Sequence, residues 1–364
     1  MDLLEQARQK INEIDEQMAE LFVERMRASE LVAEYKRQHG LPVQDEVREA
    51  MVLQRNSTRV KNDDLRAYYV NFIKNNMALS RAYQQKILEG MRVAYSGVEG
   101  AFAHIATGKL FPSAKKMAYP SFADAYEAVE RGDCDVAVLP VENSYNGEVG
   151  QVTDLMFSGS LYVNAMLDLA VTQDLLTLPG ASMADIRTVV SHPQALGQCA
   201  EYIRRHGWDT REYANTALAA KYVSEIGDAS VAAIASAEAA ELFGLAVAER
   251  NINESRNNTT RFAVFSRSQN RHLTGRMGLH SILVFTVRNE AGALARAMDV
   301  IGRHGFNLRT LRSRPMKELL WQYYFYVETD GDIDSAEGTQ MLSELAAYCD
   351  RLRLVGTYAN VAHG

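Results

Sequence analysis

The chain has 364 residues, 47% of them hydrophobic, and a formal charge of −7, enough apolar content for real cores in two or three domains. The negative balance argues against a nucleic-acid partner, because no basic face sums to a strong attraction for phosphates. MDLLEQARQK opens without an apolar h-region, no later run suits a membrane span, and Cys134, Cys199 and Cys349 lie far apart without metal spacing. The expectation is a cytoplasmic protein with buried thiols, no membrane contact and no zinc site.

From the N-terminus to about residue 88, Gly and Pro are nearly absent except at Gly40-Leu41-Pro42. Leu4, Ala7, Ile11, Ile14, Met18 and Leu21 step by three and four, which predicts one long helix to about Gln38. Asp45 can cap a second helix, and Asn62-Asp63-Asp64 opens a third running to Leu88. A long helix with two shorter companions cannot bury its own apolar stripe, so a homodimer or larger homo-oligomer is expected. Arg25 and Lys36 are eleven residues apart and share a face, whereas Arg8 lies seventeen residues before Arg25, about 25 Å along the axis. Arg8 can therefore join such a site only from an antiparallel partner. Asp45, Arg48 and Glu49 on the second helix, and Ser80 and Gln84 four apart on the third, complete a pocket for a compact dianion. Taken singly, each is equally a solvated helix charge.

From Arg92 the texture changes to short strands alternating with helices: VAYSGVEGAF, VAVLPVEN, LYVNAMLDLAV, RTVVSHPQ, AVAER and RFAVF. This pattern predicts an α/β region with polar strand ends, where ligand crevices form. Those ends carry Glu142, Asn143 and Ser144; Ser191, His192, Gln194 and Gln198; and Thr260, Arg261 and Phe262. Asn257 and Asn258 fit a glycosylation acceptor, relevant only to a secreted protein, and equally an ordinary turn. Residues 267–278 read as a linker. Beyond it, strand 280–288, helix 291–304, strands 308–314 and 321–328, helix 335–348 and strand 353–358 follow the βαββαβ, ferredoxin-like order.

Three resemblances organise these regions. RQKINEIDEQMAELFVERMRASELVAEYKRQHGLPVQDEVRE resembles the all-helical chorismate mutases, which implies an intertwined dimer over residues 1–90. It also implies a site of Arg8 from the partner, Arg25, Lys36, Asp45, Arg48, Glu49, Ser80 and Gln84, with Gln85 as the alternative to Gln84. The implied reaction, chorismate to prephenate, is pericyclic and needs positioning and charge stabilisation rather than a nucleophile. In this scheme Lys36 and Gln84 serve the ether oxygen, the arginines the carboxylates, and Glu49 the substrate hydroxyl with Arg48 nearby.

Residues 91–270 resemble prephenate dehydratase through P-x-E-N-S (Pro140, Glu142, Asn143, Ser144), S-H-P-Q (Ser191 to Gln194) and Thr260-Arg261-Phe262. The resemblance implies two α/β lobes similar to periplasmic binding proteins, with the site in the cleft. Loss of hydroxide and carbon dioxide from prephenate is driven by aromatisation and needs no cofactor. Thr260 can hydrogen-bond the departing oxygen, Arg261 either orients Thr260 or neutralises carboxylate charge, and Phe262 is either core or cleft wall. Where the family has G-S-Y/F-S, this chain has Gly100-Ala101-Phe102-Ala103, leaving backbone donors.

Residues 278–364 resemble the ACT domain, with Gly292, Ala293 and Leu294 and then Ser313, Arg314 and Pro315 in its effector motifs. The implied effector is phenylalanine. Arg312 replaces the family's acid, which alters either how the amino acid is held or how its binding is coupled to activity. The whole reads as a bifunctional enzyme of phenylalanine biosynthesis under feedback inhibition. Its rivals are a non-catalytic aromatic-amino-acid sensor and a dehydratase preferring arogenate.

Overall fold

A computed structural model describes residues 2–39, 43–254, 257–270, 278–316 and 322–359. The Gly40-Leu41-Pro42 break, most of the expected linker and Trp321 lie outside the described residues. The chain divides into two compact units, one essentially residues 1–92 and the other nearly all that follows.

The first unit is helical: α1 (Leu3–His39), α2 (Glu46–Ser57) and α3 (Asp63–Glu89). Asp45 caps α2 by accepting from the Arg48 N–H at 2.9 Å, and Asn62 caps α3 by accepting from the Asp64 and Leu65 N–H groups. Both starts follow the polar residues that mark them in the sequence. Ala33 and Met77 are buried where the helices meet, but Ile11, Ile14, Met18, Leu21 and Phe22 of α1 remain open. Ile11 is 56% exposed and Leu21 64%.

The second unit begins with a lobe of β1 (Arg92–Ser96), α4 (Phe102–Leu110), β2 (Lys115–Tyr119), α5 (Phe122–Arg131), β3 (Val136–Asn143), β4 (Gly147–Glu148), α6 (Gly150–Ser158) and β5 (Tyr162–Ala170). The chain then crosses into a second lobe of β6 (Asp174–Thr177), β7 (Thr188–Ser191), α7 (Pro193–Gln198), α8 (Ala200–His206), β8 (Asp209–Glu212), α9 (Thr216–Ile226), β9 (Val231–Ala235), α10 (Ala237–Phe243) and β10 (Ala246–Glu249). It returns as β11 (Thr259–Ser266), which pairs antiparallel with both β3 and β5. The first sheet runs β2-β1-β3-β11-β5 with β4 beside β3, and the second β10-β6-β9-β7-β8. Val189 and Val190, adjacent on β7, enter separate cores, as expected of a strand covered on both faces. The inserted second lobe explains why Thr260 sits at a lobe junction: it follows directly on the second crossing.

The C-terminal part comprises β12 (Leu279–Thr286), α11 (Ala293–Arg303), β13 (Leu308–Pro315), β14 (Tyr323–Asp330), α12 (Ala336–Ala346) and β15 (Arg351–Ala359). Its sheet order is β13-β14-β12-β15, all antiparallel and ferredoxin-like. Alternation along β12 splits the burial: Leu283 and Phe285 pack with Val300 and Met341 of the helices, while Ile282 and Val284 join the first lobe's core. Gly356 allows this approach, since a Cβ there would stand 2.0 Å from the Val163 carbonyl oxygen. Cys134 and Cys199 are buried and Cys349 half-buried, and burial pushes the Cys199 thiol up to about 12.

Candidate active sites

In the helical unit, α1 presents Arg25 and Lys36 to α3. The Arg25 Nη1 donates to the Ser80 Oγ and, at 3.1 Å, to the Asn76 carbonyl, while Ser80 donates to the same carbonyl at 3.0 Å. The Lys36 Nζ donates to the Val43 carbonyl and, at 3.4 Å, to the Gln84 Oε1. Gln84 is 7% exposed, whereas Gln85 turns outward and donates to Glu89 at 3.1 Å. Helix spacing thus brings Arg25, Lys36, Ser80 and Gln84 together, and burial lowers the Arg25 pKa.

Four other expected members sit differently. Glu49 pairs with Arg81 at 2.6 Å, and its chain neighbour Arg48 is exposed. Asp45 is committed to its cap. Arg8 is exposed near the start of α1, well away from Arg25 on the same helix. Arg81 was not singled out in the sequence; its position next to Ser80, one helical residue round, was the available signal.

The second site is the cleft between the two α/β lobes, a cavity of about 370 Å³. Asn143, Thr260, His192, Gln194 and Gln198 line it, with Ala101 and Phe102 from the glycine loop. Asn143 is held in one orientation, because its Oδ1 accepts from the Tyr145 and Asn146 N–H groups at 3.0 and 2.9 Å. Its Nδ2 therefore donates, to the Thr260 Oγ1 at 2.9 Å and the Asn258 Oδ1 at 2.7 Å. Since the Thr260 oxygen is accepting, its own proton is available for a ligand in the cleft. The orientation propagates further. Asn258 donates to the Gln198 Oε1 at 3.2 Å, and Gln173 donates to the same oxygen at 3.3 Å. This leaves the buried Gln198 Nε2 and Gln173 Oε1 without a protein partner among the described residues, one donor and one acceptor on two residues that line the cleft.

Asn258 and Gln173, 4% and 2% exposed, were missed as site residues. For Asn258 the signal was present, two positions before Thr260 and just ahead of β11. Gln173 follows β5 in a segment without any motif.

Other expected cleft residues face elsewhere. Ser191 is fully buried and donates to the Ile234 carbonyl at 2.6 Å, pinning β7 to β9. Ser144 is exposed; it donates to the Asn257 carbonyl at 2.6 Å and accepts from the Thr259 N–H at 2.9 Å, closing the turn. Phe262 is core. Arg261 turns away from Thr260 and pairs with Asp168 at 2.9 Å and Glu328 at 3.5 Å. Burial opposes its charge, but these carboxylates outweigh that and raise its pKa. Glu142 does not line the cleft and pairs with Arg312. Strand alternation is the reason: Asn143 and Thr260 share one face, Glu142 and Arg261 the other.

The glycine loop is anchored across the cleft. Gly100 has φ +84, and a Cβ there would meet Leu242, Ala217 and Phe243 of the second lobe at 3.1 to 3.3 Å. In the C-terminal sheet, Gly292 begins α11 in the left-handed region, Ala293 is buried behind it, and Leu294 lines a cavity of about 380 Å³ with Phe325 and Tyr323. Pro315 borders a different cavity, Ser313 is exposed, and Arg314 reaches Asp154 at 2.9 Å. Among the described residues, Leu294 and Pro315 of the two effector segments line different cavities.

A helical unit with a cationic cage and a two-lobed unit with an amide-lined cleft define a protein with two separate small-molecule sites. The family description Chorismate mutase type II matches residues 7–85, and Prephenate dehydratase matches residues 93–270. The bifunctional chorismate mutase/prephenate dehydratase of Escherichia coli strain K12 is 30% identical, covering 96% of this chain and 95% of that one. The chain belongs to the bifunctional chorismate mutase/prephenate dehydratase family. Among solved structures, the prephenate dehydratase of Arthrobacter aurescens in complex with L-Phe is 27% identical with a TM-score of 0.67, covering 74% of this chain and 90% of that one. A quorum-quenching acylase is 30% identical with a TM-score of 0.69, covering 74% of this chain and 98% of that one.

Proposed function

We propose that the protein converts chorismate to prephenate at the helical cage and prephenate to phenylpyruvate in the two-lobed cleft. The observation that carries this is the pairing of a cationic cage on α1 and α3 with a cleft whose Thr260 hydroxyl is oriented to donate.

In the first reaction no proton moves. Lys36 and Gln84, 3.4 Å apart, converge where negative charge grows on the ether oxygen. Gln84 there turns its N–H toward substrate, and Arg25 holds a carboxylate with Ser80 beside it. Arg81 fixes the Glu49 carboxylate toward the substrate hydroxyl. Arg8 of a second copy, with Arg48, completes the cage, and the same dimer covers the open stripe of α1. Burial of Ile11, Ile14, Met18, Leu21 and Phe22 would each contribute about 1.5–3 kcal/mol.

In the second reaction the ring hydroxyl leaves as the ring carboxylate departs. The Thr260 O–H donates to the leaving oxygen, while Asn143 stabilises the electron density left on the Oγ1. The Gln198 N–H and the backbone of the glycine loop hold a carboxylate, and desolvation in the cleft favours release of neutral carbon dioxide. The C-terminal region, read as an ACT domain, binds phenylalanine at paired domains. Support for that pairing is the separation of its two motif segments within one chain.

The test is incubation of purified protein with chorismate, with products identified over time and with or without phenylalanine. Phenylpyruvate formed through prephenate and suppressed by phenylalanine is expected; ligand binding without turnover would move the assignment to an amino-acid sensor. Supplying arogenate in parallel decides substrate preference.

A further inference from the structure

The four motif residues at the β3/β11 strand ends lie in two cross-strand pairs, Thr260 opposite Asn143 and Arg261 opposite Glu142. The first pair faces the cleft. The second faces the C-terminal sheet and is gripped there with complementary charge: Arg312 of β13 on Glu142, and Glu328 of β14 on Arg261. Pleating places Arg312 and Arg314 on the face of β13 that meets the first lobe, in register with Tyr326 and Tyr324. Each gripping side chain is itself held. The Arg312 guanidinium lies over the Tyr326 ring at 5.8 Å. The Glu328 side chain is 4% exposed, accepts from the Tyr358 hydroxyl at 2.7 Å and has Arg309 at 3.5 Å. Arg314 adds a third contact, ion-paired with Glu148 of the cleft rim at 3.3 Å.

We propose that Arg312 and Glu328 are positioning residues for the dehydratase step, clasping Glu142 and Arg261 from behind so that Asn143 and Thr260 keep their contact in the cleft. The base at position 312 then has a physical account: an acid would face Glu142 as a like charge, whereas Arg312 binds it. The clasp acts through residues one position from the reacting pair, so loosening it alters the hydrogen-bond geometry of the reacting pair more than substrate affinity.

The inference rests on the dehydratase reading of the cleft, so wild-type turnover of prephenate is measured first; its absence would sink that reading itself. With wild-type active, Arg312→Gln should lower dehydratase kcat about tenfold with KM within about twofold, as expected when one charge-assisted hydrogen bond is lost. Mutase activity should not change. Arg312→Lys should recover much of the loss, and Glu142→Gln combined with Arg312→Gln should be no worse than the poorer single variant. Glu328→Gln, which keeps side-chain shape and the Tyr358 contact, is the second variant and should show the same kcat-selective loss should Arg312→Gln not fold. Wild-type kcat in a folded Arg312→Gln or in Glu328→Gln would overturn the clasp, as would losses that multiply in the double variant.

Discussion

The helical unit and the two-lobed unit solve the same problem, holding a small anion, in opposite ways. The helical cage is built from long cationic side chains on a helix face, with its apolar stripe open and one expected member, Arg8, far along the same helix. The cleft is built from short amides buried at strand ends, each fixing the orientation of the next, and it closes within one chain. A reaction without proton transfer needs charge placed around a conformer, which flexible cations on a rigid helix supply. Departure of hydroxide needs one hydroxyl proton aimed at one oxygen, and that demands an oriented network.

Removing the central charge breaks the comparison on the helical side. Lys36→Ala should lower mutase turnover by at least about 10²-fold while dehydratase turnover of added prephenate stays intact, as follows when one preorganised donor is lost. Steady-state assays of both steps check it; near-normal mutase turnover would remove Lys36 from its role. A smaller effect is expected where the glycine loop meets the second lobe. Gly100→Ala should cost about 1–2 kcal/mol through its left-handed backbone, with dehydratase more affected than mutase in parallel assays and thermal melts. Equal loss of both activities would contradict confinement to the cleft.

The smallest effect lies outside both sites. Hydrogen bonds to Glu344 and then Glu337 raise the His304 pKa above its ordinary 6.5. Its stabilisation is therefore fully present below the unfolded pKa and lost as pH rises through the folded value. Melting temperature followed across that window should show the slope, and His304→Gln should flatten it.

Legibility in the sequence followed periodicity. The three- and four-residue spacing that makes a helix also tells which side chains share its face, so spacing alone groups Arg25 with Lys36 and Ser80 with Gln84. Strands alternate every residue, and the motif read as Glu142-Asn143-Ser144 contains two residues that turn away from the cleft. Reading P-x-E-N-S and Thr-Arg-Phe as alternating strands would have separated Asn143 and Thr260 from Glu142 and Arg261. Gln173 was out of reach, because it meets Gln198, which Asn258 also reaches, only through two lobe crossings that no local pattern encodes. Arg312 could be recognised as a changed charge but not as a partner for Glu142, 170 residues earlier.

On the proposed reading, two independent sites in one chain perform successive steps, with the oriented Thr260 hydroxyl carrying the second. Thr260→Ala, assayed for chorismate and for prephenate consumption on the same folded preparation, tests it most directly. Full mutase turnover, prephenate accumulating from chorismate, and dehydratase turnover reduced by at least about 10²-fold are expected. Phenylpyruvate formed at the wild-type rate would contradict it.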